Sequence, residues 1–280
     1  MNYILRRRKL GFGSCKGIAA ASQTGIQVFR NDKQLPPQAE YVFRWGTTSN
    51  IPGNPKVINK AKAIHWVNDK KTSRIAFAEQ GLAPYTFHPD WMVETLDKYP
   101  CVVRPLKHAQ GKHLWYCQTP EELEEVVDTI FQGDAYRFYI SSYIPKVAEY
   151  RVFVAQGRAV WVAIKTPSDP NAIAWNVAQG GKFDNVRWSN WPLEVVKKAI
   201  ECFNMTGLDF GGVDMMVDKQ GKVYCLEVNS APSQTSPYRQ QCVAKVFDYI
   251  VTNGREHIPV GGSGKYRRYI HPAIDEGAVV

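Results

Sequence analysis

The sequence contains no run of 18 or more apolar residues, so it offers no candidate for a membrane-spanning helix. None of its six cysteines forms a CxxC pair, and no histidine and cysteine cluster suggests a zinc site. The first residues, MNYILRRRKL, place apolar residues before charges, which is the reverse of a secretory signal. We therefore expect a cytoplasmic protein without a membrane partner, whose cysteines are reduced thiols, most of them in the core.

Acidic residues are fewer than basic ones, 26 against 35, which gives a net charge of +9. An excess of this size indicates a polyanionic partner, which can be nucleic acid, nucleotide phosphates or an acidic substrate. The basic residues form short clusters such as RRRK (6–9) and KYRR (265–268) instead of a long tail. Because no nucleic-acid-binding motif accompanies the charge, nucleic-acid binding is the less favoured alternative.

Helical and strand patterns alternate along the chain, with several predicted antiparallel pairs, so we expect an α/β or α+β fold. A helix is predicted over 14–23 with Ser14 as its cap, and Cys15 at its start has either a lowered pKa or a place in the core. One or two helices are predicted over 59–82, and further helices over 119–131 with Thr119 as its cap, over 191–208 ending at Gly207, and over 238–253. Hairpins are predicted to turn at Gln156-Gly157 and within 218–221.

The second of these hairpins carries the most chemistry. Asp214 lies on its first strand, and Glu227 and Asn229 lie two residues apart on its second. A plain two-residue turn would pair Asp214 with Cys225 and place Asp214, Cys225, Glu227 and Asn229 on one face. A glycine bulge at Gly221 would reverse that parity, so the sequence leaves the register open. On a shared face these oxygen ligands suit Mg²⁺, whereas the alternative is a hairpin with one solvated polar face.

The segment VVRPLKHAQGKH (102–113) supplies cations and flexible backbone. Arg104 ends a predicted strand, and the loop 107–113 that follows contains two lysines and two histidines around Gly111. Such a loop can close over phosphate groups with its N–H groups, although a single glycine in a basic loop is a weak signal by itself.

Five segments in order resemble the motifs of ATP-grasp ligases, in particular the RimK-type branch and the small ATP-grasp proteins of phage genomes. The resemblance covers most of the chain and rests on the following segments: VINKAKAIHWVNDKKTSRIAFAEQGLAPYTF, VVRPLKHAQGKHLW, YISSYIPKVAEYRVFV, IAWNVAQGGKF and LDFGGVDMMVDKQGKVYCLEVNSAPS. It implies an ATP-grasp fold in which nucleotide is held between two sheet-containing subdomains, preceded by a small α/β domain. The implied domains are 1–67 (N-terminal α/β), 68–142 (small subdomain or lid), 143–255 (large subdomain with the metal site) and 256–280 (basic, Gly-rich tail).

The resemblance also implies a role for each matching position. Nucleotide phosphates would be bound by Lys70 (with Lys71 as its substitute), Arg104, Lys107, His108, Gly111 and Lys112, and the catalytic cations at the transferred phosphate would be Arg151 and Lys165. Adenine would contact the backbone of Ser142, Tyr143 and Ile144, ribose would contact Glu149, and the wall of the nucleotide site would include Asn176, Gly180 and Gly181. One or two Mg²⁺ ions, with Mn²⁺ as a substitute, would be held by Asp214, Glu227 and Asn229. Three departures stand out: Arg104 replaces a lysine, Ser142 replaces a glutamate, and the phosphate loop keeps only Gly111.

The activity implied is ADP-forming ligation of a carboxylate to an amine through an acyl phosphate, with ATP and Mg²⁺ as cofactors. The substrates would be an amino acid, a peptide or a protein tail, and a phage origin would place the protein in the host cytoplasm. An alternative is a catalytically silent nucleotide-binding module of the same fold, but the Asp-Glu-Asn set argues against it. Nothing in the sequence sets the substrates or the oligomeric state.

Overall fold

The computed structural model describes residues 1–7, 12–30, 35–87, 98–106, 113–169, 172–175, 180–259, 261 and 267–274. This part of the chain forms three sheets and six α-helices, and the expected mixed α and β class is confirmed. The first sheet is parallel and contains, in the order β2-β1-β3-β4, strands β1 (Asn2–Arg6), β2 (Gln27–Arg30), β3 (Tyr41–Trp45) and β4 (Lys56–Ile58). The second is antiparallel and contains, in the order β5-β8-β6-β7, strands β5 (Thr86–Phe87), β6 (Cys101–Pro105), β7 (Trp115–Cys117) and β8 (Phe138–Ser142).

The third sheet is also antiparallel and carries most of the chemistry described below. Its strands, in the order β11-β10-β9-β12-β13, are β9 (Lys146–Ala155), β10 (Arg158–Thr166), β11 (Lys182–Val186), β12 (Phe210–Asp218) and β13 (Val223–Asn229). The helices are α1 (Phe12–Ala21), α2 (Ala61–Asn68), α3 (Lys70–Glu79), α4 (Pro120–Phe131), α5 (Leu193–Thr206) and α6 (Pro237–Asn253). No helix in the described part of the chain is both long enough and apolar enough to cross a bilayer.

Several local signals have the predicted effect. The Thr119 hydroxyl accepts a hydrogen bond from the Glu122 N–H and so caps α4. Gly207 ends α5 with a φ of 68°, in the left-handed region that glycine adopts without cost. Gln156 and Gly157 both have positive φ, 47° and 74°, as a type I′ turn between β9 and β10 requires.

Other local predictions are wrong in detail. Helix α1 begins at Phe12, so Ser14 lies inside the helix and is not its cap. The Ser14 hydroxyl instead accepts a hydrogen bond from the backbone N–H of Gln234, which joins α1 to the segment after β13. The segment 59–82, by contrast, agrees with the prediction of one or two helices: it forms two, because the Asp69 carboxylate accepts from the Thr72 N–H and starts α3. The short strands β4, β5 and β11 are not among the predicted elements.

The third sheet has two different faces. Residues such as Val152, Val213 and Met215 are fully buried in a core shared with the first sheet and with α5 and α6. Because side chains alternate along a strand, the intervening positions of β9 and β12 point to the opposite face, which carries Arg151 and Asp214. The second sheet has a separate core, formed by α4 and residues such as Phe138 and Ile140. The proposed domain limits stay a prediction.

Part of the predicted tail 256–280 packs against the third sheet. Ile270 and Ile274 are buried in the main core, and the His271 N–H donates to the Ala159 carbonyl of β10 at 2.8 Å. Arg158 of β10 donates to carbonyl groups of the same segment, among them that of Ile258 at 3.3 Å. Residues 267–274 therefore contribute to the fold of this sheet.

Asn59 connects the first sheet to the start of β12. Its side chain is fully buried, and its φ of 67° lies in a region that asparagine tolerates better than most residues. The amide oxygen accepts from the N–H groups of Asp209 and Phe210 at 2.7 and 3.1 Å, and the amide nitrogen donates to the Phe210 carbonyl at 3.0 Å. Three buried hydrogen bonds thus fix the position at which β12 begins.

Replacing Asn59 with alanine should lower the free energy of unfolding by roughly 3 kcal/mol, because three backbone groups lose their buried partner and alanine is strained at this φ. Urea unfolding followed by circular dichroism measures the change. Asn204→Ala, on the exposed side of α5, is the control and should change this free energy by less than about 0.5 kcal/mol. Equal stabilities of the two variants would contradict the role assigned to Asn59.

Candidate active site

The register of the β12–β13 hairpin decides whether its polar residues meet. A three-residue loop, 219–221, closes the hairpin, and its last residue, Gly221, has a φ of 80°. The residues that flank the loop pair with each other, because the Asp218 N–H donates to the Lys222 carbonyl. The Asp218 carboxylate accepts from the N–H groups of Gln220 and Lys222 at 2.9 and 2.8 Å, which stabilises the loop. This loop shifts the register by one residue from that of the plain two-residue turn.

A β-bulge then restores the parity. Met215 pairs with Cys225, but Asp214 pairs with Glu227, so Leu226 is an extra residue in β13. Asp214 and Glu227 therefore lie directly opposite each other, and the predicted shared face of Asp214, Glu227 and Asn229 is confirmed. The inclusion of Cys225 on that face is wrong: it pairs with Met215, and its buried thiol contacts Cys202 behind the sheet.

Both carboxylates are held by cations. Arg151, opposite Asp214 on β9, donates from Nε to Oδ1 at 2.5 Å and from Nη2 to Oδ2 at 2.7 Å. Lys70 Nζ, at the start of α3, donates to Glu227 Oε2 at 2.7 Å, and Asn229 Nδ2 donates to Oε1 at 2.9 Å. Burial would raise the pKa of Glu227, but Lys70 and Asn229 outweigh it and hold this pKa well below its usual range.

A second ionic cluster lies next to the first on the same face. Lys165 of β10 pairs with Glu149 of β9 across the strands, and its Nζ donates to Glu149 Oε2 at 2.6 Å. Lys146 Nζ donates to the other oxygen of Glu149 and, at 2.7 Å, to the Ile173 carbonyl, and it lies 4.9 Å from the centre of the Trp175 ring. Burial lowers the pKa of Lys146, and Glu149 opposes this effect. Glu149 is thus a shared acceptor for two lysines.

A cavity of about 530 Å³ opens over both clusters, between the second and third sheets. Seven cationic side chains line it against three carboxylates, an excess of four positive charges. The cations are Lys70, Arg74, Arg104, Lys146, Arg151, Lys165 and Arg239, and the carboxylates are Glu149, Asp214 and Glu227. Burial lowers the pKa of Arg104, and the adjacent Arg74 lowers it further. A polyanion such as a nucleoside triphosphate would compensate this charge.

Another part of the cavity wall is apolar and suits a flat base. Its residues are Val102, Tyr143, Ile144, Ile173, Trp175, Met216 and Leu226. In the predicted adenine segment the N–H of Ser142 donates to the Tyr85 carbonyl at 2.8 Å, and the N–H of Tyr143 donates to the Pro100 carbonyl at 2.9 Å. Recognition of a base by a backbone N–H in this segment would therefore fall to Ile144.

Most of the predicted site residues lie in one place. Ten of them line the cavity, namely Lys70, Arg104, Ser142, Tyr143, Ile144, Glu149, Arg151, Lys165, Asp214 and Glu227. Asn229 contacts Glu227 from its edge. Lys107, His108, Gly111, Lys112 and Asn176 lie outside the described residues, and Gly180 and Gly181 do not line the cavity. Their roles, like those of the lining residues, stay predictions.

Other residues of the cavity wall are not among the predicted site residues. Arg74 lies one helical turn beyond Lys70 on α3, a spacing that could have identified it. Lys146, Trp175 and Phe183 lie within the quoted segments but at positions to which the resemblance assigns no role, and Arg239 lies outside them. Only the tertiary structure brings them to the cavity. The expected alternative of a low pKa for Cys15 is wrong, since burial raises the pKa of this thiol to about 12.

The donor set fits Mg²⁺ bound together with phosphate. No group of three or more His, Cys, Asp or Glu side chains suited to a metal occurs among the described residues. Two facing carboxylates and an amide are instead what Mg²⁺ uses when phosphate and water oxygens complete its octahedron. The lowered pKa of Glu227 means that this carboxylate is ionised at neutral pH.

Removing Lys70 should expose Glu227 to a divalent ion. We expect Lys70→Met to bind Mn²⁺, a spectroscopic substitute for Mg²⁺, about tenfold more tightly than the wild type when nucleotide is absent, a gain of about 1.4 kcal/mol. Electron paramagnetic resonance of free Mn²⁺ measures this affinity. Lys71→Met, which changes the neighbouring lysine outside the cavity wall, should leave it unchanged. Equal affinities of wild type and Lys70→Met would show that the ion pair does not restrict the site.

Known proteins resemble this chain in sequence or in fold. A probable alpha-L-glutamate ligase of Vibrio vulnificus is 29% identical over 211 residues, which cover 71% of this chain and 68% of the relative. The crystal structure of the D-alanine–D-alanine ligase of Bacillus anthracis with ATP aligns with a TM-score of 0.61 at 16% identity, over 90% of this chain and 94% of that one. A RiPP-associated ATP-grasp ligase of Chryseobacterium gregarium, in complex with ADP and a leader and core peptide, aligns with a TM-score of 0.62 at 12% identity, over 88% and 96%.

These structural likenesses establish the expected ATP-grasp fold. The closeness to phage proteins stays a prediction. The model of the RimK-like ATP-grasp domain matches residues 57–247, which is more than half of the chain. The resemblance to RimK-type ligases is thereby confirmed, and the chain belongs to the RimK-like ATP-grasp family.

Proposed function

We propose that this protein is an ADP-forming ligase that joins a carboxylate to an amine through an acyl phosphate. The observation that carries the proposal is the cavity in which Asp214 faces Glu227 and cations outnumber carboxylates by four. Membership in the RimK-like family and relatives named as ligases support it.

The reaction proceeds in two steps. A carboxylate oxygen attacks the γ-phosphorus of ATP, and the bond from this phosphorus to the bridging oxygen breaks, which gives an acyl phosphate and ADP. The amine then attacks the acyl carbon, phosphate leaves with the electron pair of the broken C–O bond, and the amine loses a proton. The protein contributes chiefly by orienting the reactants and compensating phosphate charge.

Asp214, Glu227 and Asn229 would hold one or two Mg²⁺ ions, with Mn²⁺ as a substitute. Such an ion neutralises phosphate charge as the γ-phosphoryl group transfers. Lys70 and Arg151, which pair with Glu227 and Asp214 in the structure, would then be free to donate to phosphate oxygens.

The other cations orient the nucleotide. Arg104, with the loop 107–112 that contains Lys107, His108, Gly111 and Lys112, would contact the phosphates, and Lys165 would contact the transferred one. Glu149 would accept from the ribose hydroxyls and still orient Lys146 and Lys165. The base would lie along residues 142–144, and Asn176 would line the nucleotide site.

The segment 85–142 is the proposed lid. An acyl phosphate is lost readily to water, so closure of the second sheet over the third protects it. The separate core of the second sheet supports its movement as a unit. The domain limits 1–67, 68–142, 143–255 and 256–280 remain part of this proposal.

The acid substrate would approach near Arg239. This arginine is buried, lines the cavity, and has an Nε without a hydrogen-bond partner among the described residues. Its guanidinium lies near Arg151, which lowers the pKa of Arg239 further after burial has lowered it. Two neighbouring guanidinium groups favour a carboxylate, which can belong to an amino acid, a peptide or a protein tail. Glutamate is the first substrate to test because of the name of the Vibrio relative.

We place the protein in the cytoplasm, which for a phage protein is that of the host. The six buried, unpaired cysteines support a reducing compartment.

Asp214→Asn and Glu227→Gln should each abolish ADP release, because each removes a negative charge that the metal ion requires. The assay couples ADP formation to NADH oxidation, with Mg-ATP and pooled amino acids and peptides as substrates. Glu201→Gln, on the exposed side of α5, is the control and should retain activity. Full activity of both site variants would refute the metal assignment.

Hydroxylamine tests the intermediate. It should intercept the acyl phosphate and give a hydroxamate that depends on ATP. Wild-type protein that binds ATP but releases no ADP with any substrate pool would instead identify a silent nucleotide-binding module. Release of ADP without any hydroxamate would argue against the acyl phosphate.

A further inference from the structure

Arg74 lines the cavity but is almost fully buried between three elements of the fold. It lies on α3, one turn beyond Lys70, and only 5% of its surface is exposed. Its Nε–H donates to the carbonyl of Leu226 at 2.9 Å. Its Nη1 lies 3.4 Å from Ser141 Oγ, and its guanidinium carbon lies 5.8 Å from the centre of the Tyr139 ring. Arg74 thus bridges α3, the second sheet and β13.

Leu226 is the extra residue of the β-bulge. Without this bulge the pairs Met216–Tyr224 and Met215–Cys225 would continue, and Asp214 would lie opposite Leu226. Glu227 would then point to the core face, because a shift of one residue moves every later side chain to the other face. The bulge is therefore the element that brings Glu227 to Asp214.

The segment that contains α3 contacts the bulge at two successive residues. Arg74 donates to the Leu226 carbonyl, and the Leu82 carbonyl, three residues beyond α3, accepts from the Cys225 N–H at 2.6 Å. An extra residue in a bulge is left unpaired by the neighbouring strand, so its backbone groups need partners elsewhere. Arg74 Nε supplies a charged donor for this carbonyl.

We propose that Arg74 is a positioning residue for the metal site: its Nε–H holds the Leu226 bulge and thereby keeps Glu227 opposite Asp214. The inference rests on the proposed role of Asp214, Glu227 and Asn229 as metal ligands. It differs from a direct role, in which the positive charge of Arg74 would contact nucleotide phosphate from the cavity wall. In a metal site, such outer contacts orient the ligands and contribute to affinity.

Three substitutions separate the donor from the charge. Arg74→Gln keeps an N–H donor at the same number of bonds from the backbone as Nε but removes the charge. Arg74→Met places a carbon near this position and removes both donor and charge. Arg74→Lys also places a carbon there but keeps a positive charge beyond it. A need for the donor and a need for the charge therefore predict different rankings of the three variants by Mn²⁺ affinity.

The affinity for Mn²⁺ in the presence of saturating ADP, measured by electron paramagnetic resonance, is the first readout. We expect Arg74→Met and Arg74→Lys to weaken it by about tenfold or more, in the range for lost outer contacts of metal sites, and Arg74→Gln to stay within about threefold of the wild type. The second readout is ADP affinity in EDTA, measured by calorimetry, which should vary by less than about threefold among all four proteins. Circular dichroism and thermal melting establish that each variant is folded.

Other results would overturn the inference. Wild-type Mn²⁺ affinity in Arg74→Met would show that the bulge does not need this donor. Arg74→Lys could instead retain the Mn²⁺ affinity while Arg74→Gln and Arg74→Met lose it, with ADP affinity in EDTA falling in parallel. That result would make Arg74 a phosphate contact. Equal losses of Mn²⁺ affinity in all three variants would exclude a specific role of the Arg74 Nε–H group. Neither readout requires turnover, so an inactive wild type would refute the ligase reaction without affecting this comparison, whereas a wild type that binds no Mn²⁺ would overturn both.

Discussion

The pairing of Asp214 with Glu227 is the constraint on which the site depends. Two irregularities of one hairpin produce it: the three-residue loop 219–221 reverses the parity of β13, and the bulge at Leu226 restores it. Beyond the bulge, Glu227 and Asn229 turn toward the cavity while Val228 stays in the core. A regular hairpin with this loop would direct Glu227 into the apolar side of the sheet, where an unpaired carboxylate is costly.

The same face shows how buried charges are tolerated before any ligand binds. Asp214 is held by Arg151, Glu227 by Lys70, and Glu149 by Lys146 and Lys165. Each carboxylate therefore has a partner at close range, and the remaining charge of the cavity is positive. In the proposed reaction a metal ion would bind these carboxylates and the phosphates would bind the cations, so that metal and nucleotide binding would be coupled.

The sequence predicted the parts of this arrangement that follow from local rules. Alternation along β12 and β13 identified Asp214, Glu227 and Asn229, and cap and turn residues located α4, α5 and both hairpins. The order of motifs predicted the family. The register did not follow, because the residues 218–222 allow more than one turn length and the bulge at Leu226 contacts α3, which is distant in sequence. Lys146 and Arg239 were missed for a related reason: each is an ordinary basic residue until the tertiary fold brings it to the cavity. Ser14 was misassigned since its hydroxyl bonds to Gln234, which is distant in sequence.

The proposed role of Asp214, Glu227 and Asn229 is to bind a divalent ion together with the phosphates of a nucleotide. A crystal structure with Mn²⁺ and a non-hydrolysable ATP analogue, with anomalous data that locate manganese, is the decisive experiment. We expect a manganese peak at coordination distance, about 2.1 Å as for Mg²⁺, from carboxylate oxygens of both Asp214 and Glu227, with Lys70 and Arg151 moved to the phosphates. A manganese ion bound elsewhere, with Asp214 still paired to Arg151 and Glu227 still paired to Lys70, would contradict it.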